Sequence, residues 1–440
     1  MTKHALLLLL AALAANGSDL DQRVDPQLPS LVATYKDLHQ HPELSHFEEH
    51  TSAFLAAELR KAGFDVTEHV GKYPDGQRAY GVVALLKNGP GPVLLVRTDM
   101  DALPVEEQTG LPYASRVRVK NEAGQENGVM HACGHDIHMT VFLGTARTLA
   151  AMKDRWHGTL MLIGQPAEER IDGDRAMLAD DLYTRFPKPD FAIALHDDSD
   201  LEAGKVGMTS GPALASSTSV DVTIRGLSGH GSRPDAAKDP IVAAAQFILA
   251  IQTIVSRQTS PLEPAVVTVG TIHGGSKRNI IPDEVRLQLT IRAYSEDVRE
   301  SILADLSRTA RGVALAAGIP EDRYPIVTVS DTEVTPETYN NPELTRRLKT
   351  VLESAIGPRN VLDVKPLMAS EDFGLFGLGG HQIPILMFRL GAVAPAQVAE
   401  SKRTGRPLPS LHSSLFAPLP EPTIRTGVLC MTAAVLDLLH

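Results

Sequence analysis

Four runs in the first half of the chain are apolar almost without a break: YGVVALLK (80–87), PVLLVRT (92–98), TLMLIG (159–164) and FAIALH (191–196). A strand with one wet face alternates apolar and polar residues, so an unbroken run reads as a strand covered on both faces. HMTVFLGTARTLAAMK (138–153) falls between the second and third runs with helical spacing. Two more helical stretches precede them, LPSLVATYKDLHQHPEL and HFEEHTSAFLAAELRKAG, the latter ending at Gly63. Covered strands interleaved with helices predict an α/β domain, a mixed sheet flanked by helices on both sides.

The middle of the chain follows another rule. SVDVTIR (219–225) and VRLQLTIR (285–292) alternate strictly, placing Val220, Val222 and Ile224, and Val285, Leu287, Leu289 and Ile291, on one side of each strand. Such strands bury one face only. With helical segments over roughly 239–257 and 295–317, they predict an inserted α+β satellite domain over 216–332, a sheet with two helices on one face. The larger domain is then discontinuous, 26–215 and 333–440. A chain of 440 residues exceeds one usual core, in keeping with two domains. VAPAQVAESKRTGRPLPS (393–410) reads as an irregular loop, and the chain closes on an apolar helix.

The first residues, MTKH followed by ALLLLLAALAA, hold an apolar run about half the ~20 residues that span a bilayer. With Ala12-Leu13-Ala14 as a small-x-small cleavage signature, 1–15 reads as a signal peptide, predicting a periplasmic or secreted protein with no membrane attachment after cleavage. No other stretch reads as a transmembrane helix. The net charge is −11 and no long basic run occurs, which argues against nucleic acid as a partner. Of two cysteines, Cys133 lies among histidines and Cys430 in the apolar last helix, so the first reads as a ligand and the second as core.

The reactive residue types cluster. HACGHDIH (131–138) and QPAEER (165–170) bring Cys133, His135, Glu168 and Glu169 close in sequence; His196 and His412 sit in settings of small or turn residues. The clusters after PVLLVR, TLMLIG and FAIAL fall at C-terminal strand ends, where open α/β sheets bind ligands. Thiolate, imidazole and carboxylate together suit divalent zinc, manganese, cobalt or nickel better than calcium or magnesium. Cys133 and His135 face one way if their segment is extended. Adjacent glutamates in a turn point differently, leaving one free while the other ligates. Each feature has a plainer reading taken singly: an acidic loop, a buried thiol, structural histidines at His131 and His138, a turn aspartate at Asp101. In TDMDALP, where Asp99 and Asp101 flank Met100, Asp101 suits a carboxylate that orients a ligating histidine, with Glu106 as an alternative polar support. Glu371 and Asp372 in ASEDFG either line the cleft or support ligands.

HQHPELSHFEEHT, RTDMDALPVEE, MHACGHDIHMT, QPAEE, GGSKRNIIPDE, SEDF and LHSSLF occur in order from 39 to 416. This set resembles the aminoacylase and auxin-conjugate amidohydrolase branch of the dinuclear metallopeptidases, which includes carboxypeptidase G, hippurate hydrolase and acetyl-diaminopimelate deacetylase. The resemblance implies Cys133, His135, Glu169, His196 and His412 as metal ligands, with Cys133 where other branches carry a bridging aspartate. It implies Glu168 as general base, and His230 in LSGHGSRPD as a satellite histidine that reaches the active site, often from the other subunit of a homodimer. Asn279 and Arg292 resemble residues that hold the substrate carboxylate. Departures are RIDGDRAML where a smaller Gly-Ala turn is expected, Asp235 where a second histidine often follows the proline, and Lys277 and Arg278 before Asn279. They touch the substrate pocket and leave the ligands alone.

The implied reaction is hydrolysis of an N-acyl amino acid, hippurate-like or N-acetyl, or of a peptide, by a metal-bridging water with Glu168 taking its proton and passing it to the leaving amine. The alternatives are a dipeptidase or carboxypeptidase of the same fold, a metal-containing binding protein without turnover, and a thiol enzyme using Cys133.

Overall fold

The computed structural model describes residues 19–120 and 124–440. The signal-peptide expectation over 1–15 lies outside the described residues. The chain divides into two compact units, 1–211 with 339–365 and 375–440, and 212–338 with 366–374.

The first unit begins with helices α1 (Leu28–Gln40) and α2 (Glu49–Lys61), then strands β1 (Asp65–Lys72), β2 (Arg78–Asn88) and β3 (Val93–Asp99). Helix α3 (His135–Ala150) leads to β4 (Gly158–Gln165), β5 (Phe191–Glu202) and β6 (Val206–Met208). The second unit supplies β7 (Ser217–Arg225), α4 (Pro240–Thr253), β8 (Ala265–Gly274), β9 (Glu284–Ala293), α5 (Glu296–Ala316) and β10 (Ile326–Thr335). The chain then returns to the first with α6 (Pro342–Ile356), β11 (Val361–Asp363), β12 (Ile385–Val393), α7 (Pro395–Thr404) and α8 (Pro420–Leu438).

The apolar runs become a mixed eight-stranded sheet in the order β1-β2-β4-β3-β5-β12-β6-β11. Its centre is parallel: β4, β3, β5 and β12 run the same way, in the registers Leu95↔Met161, Leu95↔Ala192 and Leu386↔Ile193. β2 runs against β1 and β4, and β6 runs against β12 but parallel to β11. Leu94, Leu95, Leu160, Met161, Ala192 and Ile193 are fully buried, so both faces of these strands are covered. Leu31, Leu55, Ile137, Val428 and Val435, from α1, α2, α3 and α8, belong to one core with the sheet. Cys430 is buried within that core and forms no disulfide with Cys133.

In the second unit β8-β9-β7-β10 is entirely antiparallel. The alternating residues behave as their period dictates: Val220, Val222, Ile224, Val285, Leu287, Leu289 and Ile291 are buried with Phe247 and Ile251 of α4 and Ile302 and Leu306 of α5. The span Pro240–Gln258 is long and apolar enough to cross a bilayer, contrary to the sequence reading that no stretch is. Here that composition serves a core helix, whose Ala243, Ala244, Phe247 and Ile251 are buried.

Two local expectations are corrected. Helix α7 occupies part of the segment read as a loop. Its single buried residue, Val398, gives almost no amphipathic signal; the marks were Pro395 in the first turn and left-handed Gly405 just past the end. Helix α3 starts at His135, three residues before the predicted start, behind left-handed Gly134 (φ +86°).

Candidate metal centre

Five residues scattered between 133 and 412 meet in the first unit. Ligand atoms of Cys133, His135 and His196 lie within 4.8 Å of one another, as do those of Cys133, Glu169 and His412, and of His135, Glu168 and Glu169. The first two triads share Cys133, so the thiol stands between two potential cation positions.

The backbone explains the convergence. Cys133 and His135 do not sit on an extended segment, as the sequence reading required. They flank Gly134, whose left-handed turn starts α3; a Cβ there would lie 2.5 Å from Asp197 Oδ2, so only glycine fits. Nor does His196 end its strand: β5 runs on to Glu202. Its pairing with β3 stops at Ile193, while pairing with β12 continues past His196, so β5 is open on its β3 side where His196 stands. His412 is itself left-handed (φ +65°) and its N–H donates to the Ala132 carbonyl at 2.8 Å, tying it to the Cys133 turn.

Hydrogen bonding fixes the imidazoles. The His135 Nδ1–H donates to the Asp101 main-chain oxygen (2.8 Å), and the His196 Nδ1–H to the Asp197 carbonyl (2.8 Å). Each neutral ring therefore keeps its lone pair on Nε2. His196 Nε2 lies 3.5 Å and His412 Nε2 3.3 Å from Cys133 Sγ. His135 Nε2 is 3.7 Å from Glu168 Oε2 and 4.0 Å from Glu169 Oε1; His412 Nε2 is 3.5 Å from Glu169 Oε2.

The centre fits cations on two counts. His135 Nε2 and Glu169 Oε1 are buried acceptors without a hydrogen-bond partner, an arrangement that costs stability unless a ligand completes it. The field is also strongly negative. Burial disfavours a charged His135, yet the Asp99 and Asp101 carboxylates outweigh it and lift its pKa to about 10. Burial, with a contribution from Asp101, pushes the Glu169 carboxyl up to about 7. Bound cations supply the missing positive charge and hold the imidazoles neutral.

Asp101 is fully buried and supports the cluster more broadly than the sequence suggested. Its Oδ1 accepts the Glu168 N–H (3.1 Å); Oδ2 accepts the Glu169 N–H (3.0 Å) and the Ser45 hydroxyl (2.6 Å). His138 keeps its structural reading: Nδ1–H donates to Asp99 Oδ1 (2.7 Å), and Nε2 accepts the Asp197 N–H (2.8 Å). Asp99 also receives Arg97 Nη1 at 2.6 Å and stands 3.7 Å from His135 Nε2, so it shapes the centre's field. His131 is buried with neither ring nitrogen hydrogen-bonded, and burial lowers its pKa to about 4. Glu106 pairs with Arg118 on the surface (2.8 Å); its neighbour Glu107 points inward to His39. That His39, buried between Asp136 Oδ2 (2.6 Å) and Glu107 Oε1 (3.1 Å), was missed by sequence reasoning, although HQHPEL displays it.

The second unit holds the other candidates. Gly229–His230 pairs with Ile280–Ile281, and the Gly231 N–H donates to the Asn279 carbonyl (2.9 Å), so the His230 and Asn279 loops are fastened together. His230 is exposed. The Ser232 N–H donates to its Nδ1 (3.1 Å), which leaves the proton of the neutral ring on Nε2. Arg292 is elsewhere, half-buried, with Nη1 donating to the Met368 carbonyl (3.0 Å) and Ser370 Oγ (3.1 Å). Glu371 and Asp372 are buried in this unit, and Glu371 Oε1 accepts the Phe373 N–H (3.0 Å).

Residues 95–402 match Peptidase family M20/M25/M40. The chain belongs to this family. It is similar to the hippurate hydrolase of Campylobacter jejuni, 37% identical over 77% of this chain and 82% of that one. It is also similar to thermostable carboxypeptidase 1 of Saccharolobus solfataricus, 35% identical over 91% and 93% of the two chains. Among solved structures it resembles the YXEP protein of Bacillus subtilis, a dinuclear metal binding peptidase from the M20 family, with a TM-score of 0.75, 26% identity, and 94% and 99% of the chains covered. This M20 protein is accordingly a metal-dependent hydrolase of amide bonds with a dinuclear centre.

Proposed function

We propose that the protein hydrolyses N-acyl amino acids, hippurate-like or N-acetyl, to a carboxylic acid and a free amino acid. The observation that carries this is the gathering of three imidazole nitrogens and the Glu169 carboxylate around the Cys133 thiol, in two triads that share it, with the Glu168 carboxylate beside His135 and Glu169. Cys133, His135, Glu169, His196 and His412 hold the metals. Two bound divalent cations supply the Lewis acidity that polarises an amide carbonyl and eases deprotonation of water. Glu168 takes that proton and delivers it to the leaving amine. Asp101 steadies this step by fixing the Glu168 and Glu169 amides and aiming His135. The name of the Campylobacter relative supports the acyl-amino-acid class.

His230 Nε2–H is the donor for the developing oxyanion, and Asn279 and Arg292 hold the substrate carboxylate. This assignment calls for a homodimer. Asn279 stands before the start of β9, whereas Arg292 lies eight residues beyond Glu284, about 26 Å along the strand at 3.3 Å per residue. One small substrate does not reach both ends of one copy, so a second copy supplies His230 and Asn279. The satellite unit offers a surface for pairing: β8 is the sheet edge, with Ile272 exposed, and α4 exposes Val242 and Leu249. We also infer export, from the leader-like composition of the first residues.

The test is metal-reconstituted hydrolysis of N-acetyl, N-benzoyl and indole-acetyl amino acids against unblocked dipeptides. Turnover of the blocked substrates alone supports the reading. Preference for dipeptides moves it to the carboxypeptidase class, which the Saccharolobus relative's name favours. Sedimentation gives the oligomeric state, and fractionation of the source cells the location.

A further inference from the structure

The segment from Pro166 to Gly173 folds back on itself against conformational preference. Ala167 and Ile171 are both left-handed, at φ +50° and +56°. Alanine accepts that region reluctantly, and a β-branched residue is an outlier there. A Cβ on Gly173 would lie 1.6 Å from the Pro166 carbonyl oxygen, which shows how tightly the turn closes. Such a turn persists only where its surroundings over-determine it. Three successive amides of this one are held by carboxylates. Glu48 Oε1 accepts the Ala167 N–H at 2.7 Å, and the two oxygens of Asp101 accept the next two.

The Glu48 carboxylate also draws the His46 and Glu48 amides of its own turn. It lies in the HFEEHT motif, which the reaction leaves unexplained, immediately before α2. The residue is fully buried, and its Oε2 has no hydrogen-bond partner. Burial, then the nearby Asp101 charge, push its carboxyl up to about 8, so the fold keeps this group at a cost. Outside its own turn it holds one N–H, that of Ala167, one residue before Glu168.

We propose that Glu48 is a positioning residue for the general base: with Asp101 it clamps the strained turn that aims Glu168 and Glu169. This rests on the reading of Glu168 as that base. Glu48→Gln keeps an acceptor for the Ala167 N–H, whereas Glu48→Met keeps the volume and removes it. Ala167→Gly makes the left-handed conformation easy without the clamp.

The experiment measures kcat and KM on N-benzoylglycine, with bound metal counted, for the metal-loaded variants. Expected are about tenfold to hundredfold loss of kcat in E48M, KM within about threefold, and both metals retained. E48Q retains most of the turnover, and E48M/A167G recovers at least about fivefold over E48M. A packing role alone gives no such recovery through residue 167. Wild-type kcat in E48M overturns the proposal, as does a folded, metal-loaded E48M/A167G no better than E48M. If E48M does not fold, recovery of fold and turnover in E48M/A167G upholds it, and continued misfolding overturns it. Glu168→Gln separates the two readings. If it turns over at the wild-type rate, the base assignment fails and the clamp with it. If it is inactive while E48M is not, the positioning role alone fails.

Discussion

The metal centre of the first unit and the His230–Asn279 loops of the second use the same residue types in opposite ways. His135, Glu168 and Asp101 are buried, their rings and amides aimed by hydrogen bonds, and His135 Nε2 and Glu169 Oε1 carry no hydrogen bond at all. His230 and Asn279 are exposed, and backbone bonds fasten their two loops to each other. A buried cluster with unfilled acceptors is a site prepared for charge, and removing its ligand unbalances the core. An exposed loop histidine costs the fold little, and in the proposed reading it acts only on bound substrate.

Chelation probes that contrast most severely. Removal of metal should take turnover to background and lower the melting temperature, and add-back should restore both. Full activity after exhaustive chelation, tracked by atomic emission, would break the assignment of the buried cluster. Next, Glu168→Gln should lower kcat by about 10²–10⁴-fold, the range of general acid–base catalysis, with metal content unchanged. His230→Ala sharpens the other side. Loss of an oxyanion donor should cost about 10²–10³-fold in kcat with the thermal midpoint unmoved, because nothing buried depends on it. A large fall in melting temperature would show that the loop has a structural duty.

The smallest effect belongs to His39, which separates stability from chemistry. Burial opposes its charge, but Asp136 and Glu107 outweigh burial and raise its pKa from 6.5 to about 10. A raised imidazole pKa stabilises the fold fully below about 6.5, and that contribution disappears as the pH climbs through about 10. His39→Gln should therefore cost about 1.5–3 kcal/mol in denaturant titrations at pH 6, the worth of hydrogen bonds to charged groups. The gap to wild type should narrow steadily toward pH 10. A gap independent of pH would mean that His39 is held neutral.

Periodicity alone was enough to separate the two sheets. Unbroken apolar runs gave strands covered on both faces, and strict alternation in Val220–Ile224 and Val285–Ile291 gave strands covered on one, because side-chain direction along a strand has a fixed period of two. Residue chemistry and motif order likewise named Cys133, His135, Glu169, His196 and His412, which do converge. Only packing decided how. The left-handed turn at Gly134 beside Asp197, the opening of β5 beside His196, the tautomer of His135 and the capture of the Ala167 amide by Glu48 all join residues far apart in the chain. Helix α7 escaped notice because a helix that buries one side chain leaves hardly any pattern to read. Local spacing reports which face of an element meets the core; which donor meets which acceptor is settled only when distant segments pack, and the site's chemistry depends on that second choice.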